Sequence, residues 1–290
     1  RQPEHTQIDM ECSFIEPSDI MSIIEGMITR IFKNVLKVDI KTPIQKITYE
    51  TAMNDYGSDK PDLRFDMKLY DISEIVKDVE FKVFSSVVKN GGKVKCISVP
   101  GCANYSLGEM DKITKYAIEM GAKGMAWWKC LDGKVTSPIA KFFSDEDIQK
   151  IKELTGSKDG DLILFIADKK EVSNTVLGAL RCEMAKRLDL TNKDEFCFVW
   201  VCDFPLFEWD EDEKRYISVH HPFTSPAISD IKEIEKDPGS VKAKAYDIIL
   251  NGVELGGGSI RIHNYEMQNE MFKLLGISEK EAQDKFGFLL

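Results

Sequence analysis

The sequence predicts an α+β chain in which one sheet-based domain is interrupted by an inserted α+β unit. Three observations point there. Apolar–polar alternation marks strands near the start, at Thr6 to Phe14, and again late in the chain, at Phe196 to Asp203 and Tyr246 to Leu250. Between them, from about Ile72, strand and helix patterns succeed each other in a block of small-domain size. Near the end, three adjacent glycines, Gly256 to Gly258, strip the side chains from a short backbone run inside a strand pattern. The expected organisation is a first part over residues 1–71, an insertion over 72–192 and a second part over 193–290.

The elements follow in order. Thr6, Ile8, Met10, Cys12 and Phe14 share one face of the first strand; Gln7, Asp9, Glu11 and Ser13 share the other. Pro17 to Phe32 has helical spacing, with Ser18 or Asp19 as cap. A short strand near Val38 precedes a helix from Tyr49 to Tyr56, closed by Gly57. In the central block, strands are expected near Phe81–Ser85, Val94–Val99, Met125–Lys129 and Leu162–Ala167. Helices are expected at Leu107–Met120, Asp145–Leu154 and Lys170–Leu188. Ser106 and Glu109 have capping-box spacing. Asn264 is placed to cap a helix from Tyr265 to Leu275, stopped by Gly276.

Composition narrows the function. The 290 residues carry a formal charge of −10, which disfavours general electrostatic attraction to nucleic acid, so any such contact must use local basic patches. Hydrophobic residues make up 43%, enough for packed cores, yet no run reaches membrane-spanning length. The seven cysteines form no Cys-x-x-Cys pair and the four histidines lie apart from them. Structural zinc and a disulfide framework are not expected, and a reducing cytoplasmic setting fits. The chain begins with Arg1 rather than Met, as a fragment or processed product would.

Chemistry concentrates at Asn251 to His263. Arg261 follows the glycine run on a strand face shared with Ser259 and His263. A planar guanidinium there suits bidentate recognition of a carboxylate; on an exposed strand it would otherwise form a weak surface ion pair. Asp247 and Glu254 flank the turn at Asn251-Gly252, where two carboxylates can hold Mg²⁺ beside phosphate oxygens. For Asp247 alone, a solvated strand end is an equal reading. Glu254 and Arg261 have opposite parity on a straight strand, so a shared cleft requires a bulge within Gly256–Gly258. Adjacent His220 and His221 are poor joint ligands for one ion, and a turn or core role is the simpler reading. The Met125 to Trp128 run suits a core strand better than base stacking. The loop Ser58 to Arg64 mixes both charges beside turn residues and reads equally as a solvated turn or a gate.

Taken together, these motifs resemble bacterial-type aspartyl-tRNA synthetase, a class II aminoacyl-tRNA synthetase. The Gly-Gly-Gly-Ser-Ile-Arg run, the His220 to Thr224 pentapeptide, the Ser58 to Arg64 loop and the first strand carry the resemblance. It spans nearly the whole chain. The stretches Val94 to Pro100, Gly121 to Gly124 and Ser137 to Phe142 resemble the GAD insertion of that family. The resemblance implies an antiparallel catalytic sheet interrupted by a GAD-like domain. It also implies activation of L-aspartate by ATP with Mg²⁺, and transfer to tRNA(Asp), or to tRNA(Asn) as well. Arg261, His220, Gln7, Asp9 and, less directly, His221 would bind aspartate. Gln2 and Glu254 would contact ATP, and Asp247 and Glu254 would hold the metal. A homodimeric parent is implied. Motif 1 and the first strand of motif 2 are expected before Arg1, and motif 3 after Leu290. These 290 residues alone are therefore expected not to form aspartyl-adenylate. Two other readings stay open. One is a non-catalytic GAD-type module that binds tRNA or protein, related to tRNA-dependent amidotransferase subunits; the glycine–arginine strand argues against it. The other is a related asparagine or lysine enzyme, disfavoured by the GAD-like block and the paired-histidine loop.

Overall fold

The computed structural model describes residues 4–288. In chain order the elements are α1 (Pro17–Ile31), a π-helical turn (Phe32–Leu36), β1 (Lys46–Thr48), α2 (Tyr49–Tyr56), β2 (Tyr70–Asp71), α3 (Ser73–Val76), α4 (Lys82–Lys89), β3 (Lys93–Val99) and α5 (Leu107–Glu119). Next come β4 (Ala126–Leu131), β5 (Lys134–Thr136), α6 (Asp145–Thr155), β6 (Leu162–Asp168), α7 (Lys170–Arg187), β7 (Phe198–Cys202), β8 (Phe207–Asp210) and β9 (Arg215–Ser218). The last are α8 (Ile231–Lys236), β10 (Ala245–Leu250), β11 (Val253–Ser259), α9 (Tyr265–Leu274) and α10 (Glu279–Phe286). The chain divides into two compact units. One comprises the chain up to Gln45, Asp203–Tyr246 and the chain from Gly257 onward; the other comprises Lys46–Cys202 and Asp247–Gly256.

The unit built on Lys46–Cys202 is organised around a five-stranded sheet of order β2-β3-β6-β4-β5, antiparallel throughout. Alternation along its strands feeds two separate cores. Ile97, Val99, Leu162, Leu164 and Ile166 join residues of α5 and α7 on one face. Val94, Cys96, Trp128, Cys130, Ile163 and Phe165 join residues of α3, α4 and α6 on the other. An antiparallel sheet buried on both faces needs apolar residues on both sides of its strands; β6 supplies them at six of seven positions, and β3 supplies Val94, Cys96, Ile97 and Val99. A second sheet has the order β1-β7-β10-β11, with β1 parallel to β7 and Lys46 opposite Trp200.

Local signals set most boundaries. The Ser106–Glu109 box forms, with Ser106 Oγ accepting the Glu109 N–H and Glu109 returning to the Ser106 N–H. Gly57 ends α2 in the left-handed region, at φ 69°. Thr48 caps α2, its Oγ1 accepting the Thr51 N–H at 3.0 Å. Thr48→Ala is expected to lower unfolding free energy by about 1 kcal/mol, read as a shift of the urea midpoint. Helix α1 starts at Pro17 as the spacing predicts, but its cap lies two or three residues before the expected Ser18 or Asp19: Glu16 is the cap, and Asp19 Oδ2 accepts the Glu16 N–H at 2.8 Å.

Three expected strands do not form. Phe81–Ser85 is the start of α4 rather than a strand, because Phe81, Phe84 and Val88 recur at helical spacing and face one core. Packing of that stripe overrides the β preference of Val and Phe. Near Val38 the chain instead leaves the π-helical turn through Lys37 at φ 61°. Thr6–Phe14 pairs with no described strand. Ile8 is 73% exposed, Phe14 is fully exposed and its φ of 59° breaks the extended run. Alternation creates a face, but a strand exists only when a partner takes up its hydrogen bonds.

Candidate active site

Within the unit that contains Gly257 onward, three segments converge on Arg261. The backbone of Phe223–Ser225 clasps Ile260–Ile262: the Ser225 N–H donates to Ile260 O and the Ile262 N–H donates to Phe223 O, both at 2.8 Å. Thr224 and Arg261 form the antiparallel bridge between these two bonds. Lys244 then joins from the other side, accepting from the Ile260 N–H at 2.9 Å and donating to Ser225 O at 2.9 Å. Phe223 anchors the loop by edge-on packing against Phe272 and Phe286, at 5.9 and 5.1 Å between ring centroids. Arg261 therefore stands on a fixed backbone, while its side chain remains 55% exposed. Its Nε donates to Glu11 Oε1 at 2.9 Å.

The neutral His221 ring is held in one tautomer. His221 Nδ1 accepts the Phe223 N–H at 3.2 Å, which leaves the proton of the neutral ring on Nε2, 3.4 Å from Ser259 Oγ. Burial, then the charges of Arg261 and His220, hold the His221 pKa below its ordinary value. A neutral imidazole thus sits beside a guanidinium. His220 packs edge-on against Phe204 at 4.9 Å.

Gly256 and Gly258 of the glycine run differ in their surroundings. At Gly258 a β-carbon would come within 2.9 Å of the Tyr246 ring, so this glycine makes room for a side chain of the protein itself. At Gly256 a β-carbon would meet nothing within 4 Å. Strand β11 runs to Ser259, and Arg261 lies beyond its end.

The other unit holds the acidic pair. Asp247 lies in β10 and is 8% exposed. Burial, reinforced by Glu254, pushes its pKa up from 3.8 to about 7; Lys60 opposes the rise and Asp59 adds to it. Lys60 Nζ bridges Asp59 Oδ2 at 2.7 Å and Glu254 Oε2 at 3.4 Å. The Ser58–Arg64 loop is therefore not a solvated turn. Arg64 grips the Asp62 carboxylate through Nε and Nη2. Arg181, buried in α7, donates to the carbonyls of Met67, Asp62 and Phe65. A buried carboxyl at Asp247 whose proton affinity is raised by burial and by the exposed Glu254 makes the two a fitting donor pair for a divalent cation, which would relieve the repulsion.

The sign of the Asp247 effect is testable. A carboxyl with a folded pKa near 7 and an unfolded value near 3.8 favours folding below about pH 4. That contribution is lost as pH rises through about 7. Asp247→Asn is expected to be stabilised relative to the parent at pH 8 and much less so at pH 4. Urea unfolding at the two pH values measures this; an equal difference at both would refute the assignment.

Of the residues singled out from sequence, Arg261, His220 and His221 share one unit, and Asp247 and Glu254 share the other. Gln7 and Asp9 lie in the exposed extended segment, not on a strand face. Gln2 lies outside the described residues. Sequence reasoning missed Lys60 as the partner of Glu254 and Tyr246 as the occupant beside Gly258. The signals for Lys60 in the sequence are the mixed charge of the Ser58–Arg64 loop and that loop's share in the family resemblance.

The model of the class II tRNA synthetases (D, K and N) matches residues 1–290, and the chain belongs to this family. It is 52% identical to an aspartate–tRNA(Asp/Asn) ligase of Caldanaerobacter subterraneus subsp. tengcongensis over all 290 residues, which cover 49% of that protein. It is 53% identical to an aspartate–tRNA(Asp/Asn) ligase of Thermodesulfovibrio yellowstonii, with 50% of that protein covered. It is 52% identical to an aspartate–tRNA ligase of Clostridium novyi, with 49% covered. The chain spans about half the length of these curated relatives. Among the described residues, no helix is long and apolar enough to cross a membrane.

Proposed function

We propose that the full-length protein is an aspartate–tRNA ligase. In the first step an α-carboxylate oxygen of L-aspartate attacks the α-phosphorus of ATP, a P–O bond forms and pyrophosphate leaves. In the second, a terminal ribose hydroxyl of tRNA attacks the acyl carbon and AMP leaves. The observation that carries this reading is Arg261, a backbone-fixed and exposed guanidinium beside a neutral His221. A planar fork whose Nε is held by Glu11 still has its two terminal nitrogens to offer a carboxylate in parallel hydrogen bonds.

Arg261 grips the side-chain carboxylate of aspartate, His220 and His221 line the pocket, and Asp9 with Gln7 orients the substrate ammonium. Gln2 and Glu254 contact ATP. Asp247 and Glu254 hold Mg²⁺, which neutralises phosphate charge when bound. Positioning and electrostatics supply the rate, with no covalent enzyme intermediate. Residues 72–192 form a GAD-like insertion, a reading supported by β3, β4, β5 and β6, which supply four of the five strands of one antiparallel sheet. The protein acts on tRNA(Asp), or on both tRNA(Asp) and tRNA(Asn), and works as a homodimer in the cytoplasm.

Amino-acid-dependent ATP–pyrophosphate exchange by the full-length protein tests the reading. Exchange is expected with aspartate and not with asparagine or lysine. Exchange driven by either of those instead would overturn it. Charging assays with tRNA(Asp) and tRNA(Asn) then separate the two tRNA specificities.

A further inference from the structure

One side chain of the five-stranded sheet has no explanation in its core. Lys95 lies mid-strand in β3, at the parity of Ile97 and Val99, and is 3% exposed. An ammonium held out of water costs several kcal/mol unless it is well paired. Its Nζ donates to Asn54 O at 2.7 Å and to Asn174 Oδ1 at 2.6 Å. Both acceptors are neutral. An ammonium has three protons, and the third meets no partner among the described residues.

The same side chain lines a cavity of about 330 Å³, with Lys93, Lys170, Asn54, Asp55 and Asp71. The two aspartates do not supply the missing counter-charge. Asp71 holds Lys93 at 2.9 Å through Oδ2 and accepts the Ser73 N–H at 2.9 Å through Oδ1. Asp55 Oδ2 holds Lys68 at 3.1 Å. Lys170 is the first residue of α7, where a cation opposes the helix dipole. Burial draws the Lys95 pKa down to about 8, and the charge of Lys170 adds to that against the pull of Asp71 and Asp55. A buried ammonium with an unused proton and a cation at the wrong helix end both mark a place short of negative charge.

We propose that this cavity is a binding site for a terminal phosphate group, held between Lys95 and Lys170. Two uncompensated cations suit a dianion better than a carboxylate. A phosphodiester within a nucleic-acid strand is flanked by sugars on both sides and does not reach a head group this deeply buried. The ligand is therefore inorganic phosphate or a small phosphomonoester. None of these residues belongs to the proposed aspartate and ATP site, so the inference stands or falls separately from that reading.

Calorimetric titration of the full-length protein with inorganic phosphate, methyl phosphate and dimethyl phosphate, in chloride buffer, tests it. Saturable binding of inorganic phosphate is expected, with dimethyl phosphate at least tenfold weaker. Methyl phosphate binding as tightly as phosphate identifies a phosphomonoester ligand; weaker binding identifies the free anion. Lys170→Ala, an exposed change, is expected to weaken phosphate binding about tenfold, and Lys95→Met to abolish it. Should Lys95→Met fail to fold, Lys170→Glu provides the same test and is expected to abolish binding. No saturable binding, equal binding of dimethyl phosphate, or binding unchanged in the Lys170 variants would overturn the proposal.

Discussion

Gly57→Ala is expected to cost about 4 kcal/mol or more of unfolding free energy, a large share of the roughly 5–15 kcal/mol that holds a typical domain folded. Two costs add. Gly57 sits at φ 69°, where an L-residue pays roughly 1–2 kcal/mol. A β-carbon there would also lie 2.1 Å from Asn174 O and 2.8 Å from the Gly178 backbone. These are main-chain atoms of α7, so no rotamer change relieves the overlap, and the helices must part. The contact is reciprocal, since a β-carbon at Gly178 would lie 2.6 Å from Gly57 O. Gly91→Ala is the control: it shares the positive φ, but nothing lies within 4 Å, so about 1 kcal/mol is expected. Urea denaturation followed by circular dichroism distinguishes the two. Similar losses for both would mean that the close approach of α2 and α7 contributes nothing.

Arg261→Ala in the full-length protein is expected to lower kcat/KM for aspartate about 1000-fold, equivalent to about 4 kcal/mol of transition-state binding. The size follows from losing both hydrogen bonds and the charge opposite a desolvated carboxylate. Arg261→Lys is expected to recover only part of it, because an ammonium cannot donate two parallel bonds. Glu11→Gln removes the partner of Arg261 without touching the guanidinium, and a loss of about tenfold is expected. Aspartate-dependent exchange kinetics read all three. Parental constants in Arg261→Ala would show that the substrate carboxylate is gripped elsewhere.

The two experiments probe separate features. Arg181 reaches from α7 to three carbonyls of the segment that follows α2, and Lys60 on that segment meets Glu254. The Gly57–Gly178 approach is what brings α7 within reach of that segment. A stability defect at Gly57 therefore precedes any effect on the acidic pair, whereas Arg261 acts through its own exposed side chain.

Much of the local architecture was readable in the order of residues. The Ser106–Glu109 box, the Asn264 cap, the stop at Gly57 and the long patterns of α5, α6, α7, β3 and β6 all form close to their expected bounds. Capping bonds, turn geometry and apolar periodicity act between neighbours in sequence, so neighbours suffice to read them. The chemical identities at the site were legible in the same way, because a glycine run ending in Ser-Ile-Arg and a paired-histidine loop are contiguous. Other features depend on distant partners. Phe81–Ser85 coils into a helix because a core already formed by other elements accepts its stripe. Thr6–Phe14 stays unpaired because alternation specifies a face and not a neighbour. The pairing of Arg261 with Glu11, the tautomer of His221, the raised proton affinity of Asp247 and the ammonium of Lys95 with two of its three protons bonded arise only once chain folding sets their surroundings. Burial and long-range contact control charge, and neither is written in any one stretch of sequence.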